Sequence, residues 1–391
     1  MRSLTENEFE KLRPALFHAE RTYARVNLAA IRHNGQRANA LLPGKKILSV
    51  LKADAYGHGI SGTVPAYESF TDWYAVATVE EGLAIRAQSE KPVLLFGPVP
   101  EEKMPLAAEN KLTFTVGSAA YAQKLSKAME TADLTADCHL KIDTGLNRSG
   151  IRWREDRDSL SEISEVWGLP RLRYTGTYTH FACGEGQEPW ELEFTAMQFG
   201  RFEAALAAME AEGMEPGLRH CCSTGAGLVH PEYRLDMVRM GMLPLGMSYS
   251  DESVRDCGLI PAMTWVSFVA QIERVQPGEA VSYGCTFHAE KPMVIGMVTC
   301  GYADGYHRYY SNKSSVLIAG REVRVLGRVA MDYMLIDLTD IPAPEVGMEV
   351  ILLGSDGENR ISAQKLSAFG ESVSGEVTCT ISPRVPRIYT E

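Results

Sequence analysis

The chain has 391 residues, 45% of them hydrophobic, a length that suits two domains, each with its own core. Its formal net charge of −11, with no basic run or stripe, argues against nucleic acid and against an anionic membrane surface as partners, so any phosphate must be held locally. No apolar stretch approaches the roughly 20 residues that span a bilayer, the start MRSLTENEFEKL is acidic where a signal peptide would be apolar, and eight scattered cysteines form no CxxC pair, which together predict a cytoplasmic chain with reduced thiols.

Residues 1–20 read as a short helical extension with no function legible in them. Residues 23–28 alternate like a strand, and 29–42 have helical spacing that stops at Pro43-Gly44. The run Ile47, Leu48, Ser49, Val50, Leu51 is short and apolar, as in a strand buried on both faces, and it ends at Lys52. In a parallel α/β architecture that end is where ligands collect. An amine that loses hydration there has a lowered pKa and can form a Schiff base, whereas the plainer reading is a lysine reaching to solvent. Short apolar runs recur at 46–52, 72–78, 92–97, 112–116, 135–142, 172–180, 218–223 and 236–240, with amphipathic segments between most of them. Eight such strands predict an α/β fold, a (β/α)8 TIM-type barrel; an open doubly wound sheet would advertise a GxGxxG turn, and none is present. After Cys257 the amphipathic segments give way to strand-like runs at 264–272, 281–283, 293–299, 315–318, 323–329, 335–338 and 349–353, which predicts a mostly β C-terminal domain. The expected division is 1–257 for extension and barrel and 258–391 for the β domain.

The wording Lys52-Ala53-Asp54-Ala55-Tyr56-Gly57-His58-Gly59 resembles the pyridoxal-phosphate (PLP) lysine signature of alanine racemases, and further motifs extend the resemblance from about Tyr23 to Tyr389. It implies that Lys52 carries the cofactor covalently and that the Tyr56 hydroxyl reaches its phosphate. In the stretch from His139 to Arg148, it implies that Lys141 is carbamylated and orients Arg148, which bonds the cofactor's phenolic oxygen and faces substrate. Asn147 stands where the family usually has glycine, and Ser149 where it has an aliphatic residue. Thr179-His180-Phe181 and His220-Cys221-Cys222-Ser223-Thr224 could suggest a metal site, but adjacent cysteines on a strand point to opposite faces, so no metal is expected. Satisfied core histidines are the plainer reading, and the resemblance adds that His180 and His220 flank Arg239 beneath the cofactor. Loops after strands seven and eight of such barrels cradle phosphate, which selects Ser223, Thr224, Gly241 and Met242, joined by Tyr56. Arg239 would meet the pyridine nitrogen; it keeps its proton, disfavours a second positive charge there and so weakens the electron sink.

In the β domain Val281-Ser282-Tyr283-Gly284 matches the family's second catalytic base, Tyr283, expected within a strand and with its pKa lowered by His180. Gly301 to Gly305 and Gly327 to Asp332, including Met331, match segments lining the family's substrate entrance. The resemblance therefore implies a PLP-dependent isomerase interconverting L- and D-alanine with two bases, Lys52 and Tyr283, in a homodimer with shared active sites. Rivals are a PLP decarboxylase of the same architecture, disfavoured for want of a glycine-rich phosphate loop, and a non-catalytic PLP-carrying protein, disfavoured by the β domain. Pro383, where a tyrosine is usual, together with Leu245 and Ala330 suggests a roomier pocket and serine as an alternative substrate.

Overall fold

The computed structural model describes residues 3–154, 159–248 and 256–391. Met1 and Arg2 of the expected helical extension lie outside the described residues. The chain divides into two compact units that do not follow a single cut near residue 257: residues 35–55 and 67–241 form one, and residues 1–34, 56–66 and 242–391 form the other.

The first unit is built on parallel strands. After β1 (Thr22–Asn27), which belongs to the other unit, come β2 (Lys46–Val50), β3 (Trp73–Val76), β4 (Val93–Leu95), β5 (Leu112–Val116), β6 (Ala136–Asp143), the two-residue β7 (Ile151–Arg152), β8 (Leu172–Tyr178), β9 (Leu218–His220) and β10 (Met237–Met240). Their order is β10-β2-β3-β4-β5-β6-β8-β9, every pairing is parallel, and an isolated parallel bridge between Ser223 and Arg239 links the ends of β9 and β10. The expected eight-stranded barrel is thus present, with β7 a short addition to β6. Leu48, Tyr74, Leu94, Phe114 and Leu140 are fully buried, as strands covered on both faces require. The connecting helices include Val79–Arg86, started by a Thr78/Glu81 capping box, and Ala119–Ala132, capped by Ser118.

The second unit gathers segments from both ends of the chain. Its nine-stranded sheet places β1 between Met263–Val275, antiparallel to it, and the final strand Arg387–Thr390, parallel to it. The N-terminal helix Glu6–Ala19, held at its start by a Thr5/Glu8 capping box, covers this sheet through Phe9 and Leu16, which pack with Tyr23, Val266 and Phe268. Two short helices, Ala363–Ala368 and Ser374–Cys379, accompany the strands of this mostly β domain. Among the described residues no helix is long and apolar enough to cross a membrane.

Between β2 and the next helix the backbone turns the wrong way for L-residues. Ala53, Asp54, Ala55 and Tyr56 all have φ between 52° and 55°, a left-handed turn made without glycine. Each such residue costs about 1–2 kcal/mol. Within the barrel unit the turn is held by Ala55 N–H donating to the Leu51 carbonyl (2.8 Å) and Asp54 N–H donating to Glu81 Oε1 (3.1 Å). The other Glu81 oxygen accepts from Ala77 and Thr78, so one carboxylate caps a helix and pins the turn together. Ala53 is exposed, which makes it a clean probe of this conformation. Ala53→Gly should leave the denaturation midpoint unchanged or raised, while a β-branched Ala53→Val should lose about 1–2 kcal/mol. A valine tolerated as well as alanine in chemical denaturation would mean the turn is not left-handed in solution.

Candidate active site

The C-terminal ends of the barrel strands bring five of the expected residues into one electrostatic neighbourhood. Lys52 lies two residues past β2 and Arg239 lies on β10, and the positive charges of Arg239, Arg148, Lys141 and Lys52 all push the His180 pKa well below its ordinary value, after the larger effect of burial. The Lys52 side chain is exposed, which corrects the sequence's picture of a dehydrated strand-end amine.

Arg239 is the centre of the arrangement. It is 5% exposed, and its guanidinium donates to His220 Nδ1 (3.1 Å), the His220 carbonyl (3.2 Å), His180 Nδ1 (2.7 Å) and the Cys221 carbonyl (2.7 Å). Guanidinium only donates, so both histidines accept at Nδ1 and carry their proton on Nε2. His220 Nε2 then donates to His139 Nδ1 at 3.0 Å, which leaves the His139 proton on Nε2 as well. Burial keeps the three rings neutral: His220 and His180 are pushed well below the usual range, and His139 falls to about 3. Tyr178 completes the cluster, stacked on His220 at 4.7 Å between centroids with Arg239 5.6 Å from its own. Gly176 gives His139 its room, because a Cβ there would stand 2.6 Å from the ring.

His139 and Tyr178 are functional-site residues that the sequence reading missed. A signal existed for the first, since His139, Lys141 and Asp143 alternate on β6 and therefore share its inner face. Lys141 is 5% exposed, and burial, then Arg148 and Arg239, lower its pKa to about 8. Its ammonium nitrogen donates to Ser149 Oγ at 2.6 Å. Asn147 takes the left-handed conformation (φ 57°) that its family glycine would take, so the loop survives that replacement.

The expected phosphate ligands fall in both compact units. In the barrel unit the Gly241 N–H donates to Thr224 Oγ1 (3.2 Å), and Ser223 caps the short helix Thr224–Val229 while donating to Glu185 (3.2 Å). In the other unit the Tyr56 ring and Met242 Sδ both lie against Gly375, each within 3.4 Å of where its Cβ would be. Tyr283 is not in a strand: it opens a 3₁₀ turn, Tyr283–Cys285, between Ser282 and Gly284 at positive φ, and is 70% exposed. Segments around Ser282, Arg328, Tyr302 and Met331 are joined by hydrogen bonds from Ser282 Oγ to the Arg328 carbonyl (2.6 Å) and from the Ala303 N–H to the Met331 carbonyl (3.0 Å). Pro383 is exposed beside Arg384, whose guanidinium is clamped by Asp304 (2.7 Å) and Asp332 (2.6 Å).

Cys221 and Cys222 correct another expectation. Strand β9 ends at His220, so the pair is free of strand alternation, and both thiols turn to the same side, 3.9 Å apart, to donate to the Tyr233 carbonyl. Among the described residues no group of three or more His, Cys, Asp or Glu side chains is placed to hold a metal ion.

Comparison with known proteins agrees with this geometry along almost the whole chain. Residues 26–248 match the alanine racemase N-terminal domain and residues 262–389 the alanine racemase C-terminal domain. An alanine racemase of Desulfovibrio desulfuricans is 36% identical over 375 residues, covering 94% of this chain and 98% of that protein. Among solved structures, alanine racemase of Clostridium difficile 630 superposes with a TM-score of 0.86 at 33% identity, covering 95% of this chain and 96% of that one. The Bacillus anthracis alanine racemase solved with bound L-Ala-P reaches 0.87 at 31% identity, with 95% of each chain covered. The chain belongs to the alanine racemase family.

Proposed function

We propose that this isomerase interconverts L- and D-alanine with PLP, using Lys52 and Tyr283 as its two bases. The observation that carries the reading is Arg239, a buried cation held by two neutral histidines at the barrel rim. The donor set fits an anionic, multiply accepting cofactor: Lys52, Lys141, Arg148 and Arg239 bring four positive charges to bear on one buried histidine. Lys52 would hold the group covalently, Arg148 its phenolic oxygen and Arg239 its ring nitrogen. Thr224, Ser223, Gly241, Met242 and Tyr56 would hold its phosphate, with backbone N–H groups serving in place of net positive charge. When bound, PLP supplies an electron sink that acidifies the Cα hydrogen of an attached amino acid.

The chain's own residues govern where the proton goes. Lys52 Nζ takes or returns the Cα proton on the face of the D-isomer, and Tyr283 Oη does so on the face of the L-isomer. Arg239 keeps its own proton and disfavours a second positive charge on the nitrogen it would hold, which favours return of the proton to Cα over transfer elsewhere. Lys141, an amine with a pKa near 8 beside two arginines, is suited to carbamylation: the change from cation to anion converts two repulsions into attractions that steady Arg148. Functionally, residues 1–257 would carry the cofactor and residues 258–391 the second base. Leu245 is buried in its own 3₁₀ turn, which weakens the argument for a widened, serine-accepting pocket and leaves alanine as the substrate.

Two measurements test this reading. Borohydride reduction of the holoenzyme should fix the cofactor to the peptide containing Lys52, and L-alanine in deuterated water should exchange its Cα hydrogen and lose optical rotation together. Label on Lys141 instead, or exchange without loss of rotation, would overturn it.

The exposed Tyr283, with Tyr302 at 40%, Met331 at 54% and Tyr333 at 43% exposed, presents an apolar face that supports a homodimer in which each subunit's Tyr283 serves its partner's barrel. Inactive Lys52→Ala and Tyr283→Phe chains, once exchanged, should then form mixed dimers holding one intact site. Absence of recovered racemase activity despite demonstrated exchange would place both bases within one chain.

A further inference from the structure

We infer that Ser149 is the positioning residue for carbamylation of Lys141, accepting a hydrogen bond from the amine before the reaction and donating one to the carbamate after it. The inference rests on the carbamate reading above and deepens it. Its basis is the 2.6 Å contact between Lys141 Nζ and Ser149 Oγ, in a place where Lys141 has no carboxylate bonded to it among the described residues. Asp143, two residues on, is taken up by Arg154 (3.1 Å), by the Gly145 N–H (2.9 Å) and by the Arg148 N–H (3.2 Å).

The backbone makes this contact a fixed one. The loop from Asp143 to Gly150 folds back onto its own strand, helped by the left-handed Asn147, whose side-chain oxygen accepts from Arg154 at 2.8 Å. Gly150 closes it at φ 121° with no room for a side chain, since a Cβ there would stand 2.8 Å from the Asp143 nitrogen and 3.0 Å from the Lys141 carbonyl oxygen. That approach sets the hydroxyl of the preceding residue against the amine.

A hydroxyl beside the lysine can serve both of its states, because it both accepts and donates. Lysine must first lose a proton to water; the free amine then attacks CO2, a C–N bond forms as one C=O π bond yields, and a second proton leaves to solvent, with no redox change. In the amine state Ser149 Oγ accepts an N–H, which aims the nitrogen lone pair elsewhere and fixes the rotamer. In the carbamate state the same hydroxyl turns and donates to an anionic oxygen, a charge-assisted bond. An aliphatic side chain can do neither. The charges that face the amine, Arg148 and Arg239 against Asp143, favour the anionic product, and the lowered pKa of Lys141 agrees.

The test is titration of the full-length protein with ¹³C-bicarbonate, following the carbamate carbon by NMR, in wild type, Ser149→Thr and Ser149→Val, the last isosteric with the threonine variant. Wild type and the threonine variant should reach half-saturation together, and the valine variant should need roughly tenfold more bicarbonate. Ser149→Ala serves in place of valine should that variant fail to fold, with the same shift expected. Equal half-saturation in wild type and valine variant would overturn the role of Ser149 and leave the carbamate standing. A wild type with no carbamate signal would remove the carbamate and the role of Ser149 with it.

Discussion

The barrel rim depends on the burial of Arg239, a cation with no carboxylate bonded to it among the described residues. Taking a guanidinium out of water costs several kcal/mol unless its donors are satisfied, and Arg239 meets that requirement with two imidazole nitrogens and two carbonyl oxygens. Carboxylates would have bonded it more strongly but would also have cancelled its charge. Neutral acceptors leave the positive field intact where a ligand can use it. The requirement then spreads: because Arg239 occupies both Nδ1 atoms, the histidines have one tautomer available, and the Nε2 proton of His220 fixes the next ring, His139. Residues on β6, β9 and β10 and just past β8 are thereby locked into one protonation pattern by the hydrogen count of a single side chain.

A second constraint sits beside the proposed cofactor lysine. Four successive residues in the left-handed region store strain that ordinary helix or loop would not, and strain of this kind persists only where neighbours over-determine it. Glu81 supplies part of that determination by serving the turn and a helix start at once. The barrel thus spends stability to aim the residues just after Lys52.

Much of this was legible in the sequence, for identifiable reasons. Barrel strands buried on both faces leave continuous apolar runs, so all eight could be read, and the motif around Lys52 stood at the end of one of them. The left-handed turn was invisible because its residues are Ala, Asp, Ala and Tyr, of which only Asp has any preference for positive φ. Tyr283 read as part of a strand, since Val281 and Ser282 continue an apolar alternation that the backbone abandons one residue earlier. The helices at Ala363–Ala368 and Ser374–Cys379 are six residues each, too short to display a 3.6-residue period. The thiol pair was misjudged by three residues of strand length, and Ser149 showed in the sequence only as a replaced aliphatic residue, its contact with Lys141 depending on a loop that folds back.

The placement of β1 has a consequence for how the protein is made. Both of its hydrogen-bonding partners, beginning at Met263 and Arg387, are encoded more than 200 residues after its last residue, Asn27. As the nascent chain leaves the ribosome, barrel strands such as β2, β3, β4 and β5 find neighbours in succession, while this earliest strand waits with both edges unpaired. The sheet that holds β1 is therefore the last part to be completed, and its first strand stays open to wrong pairings for most of synthesis.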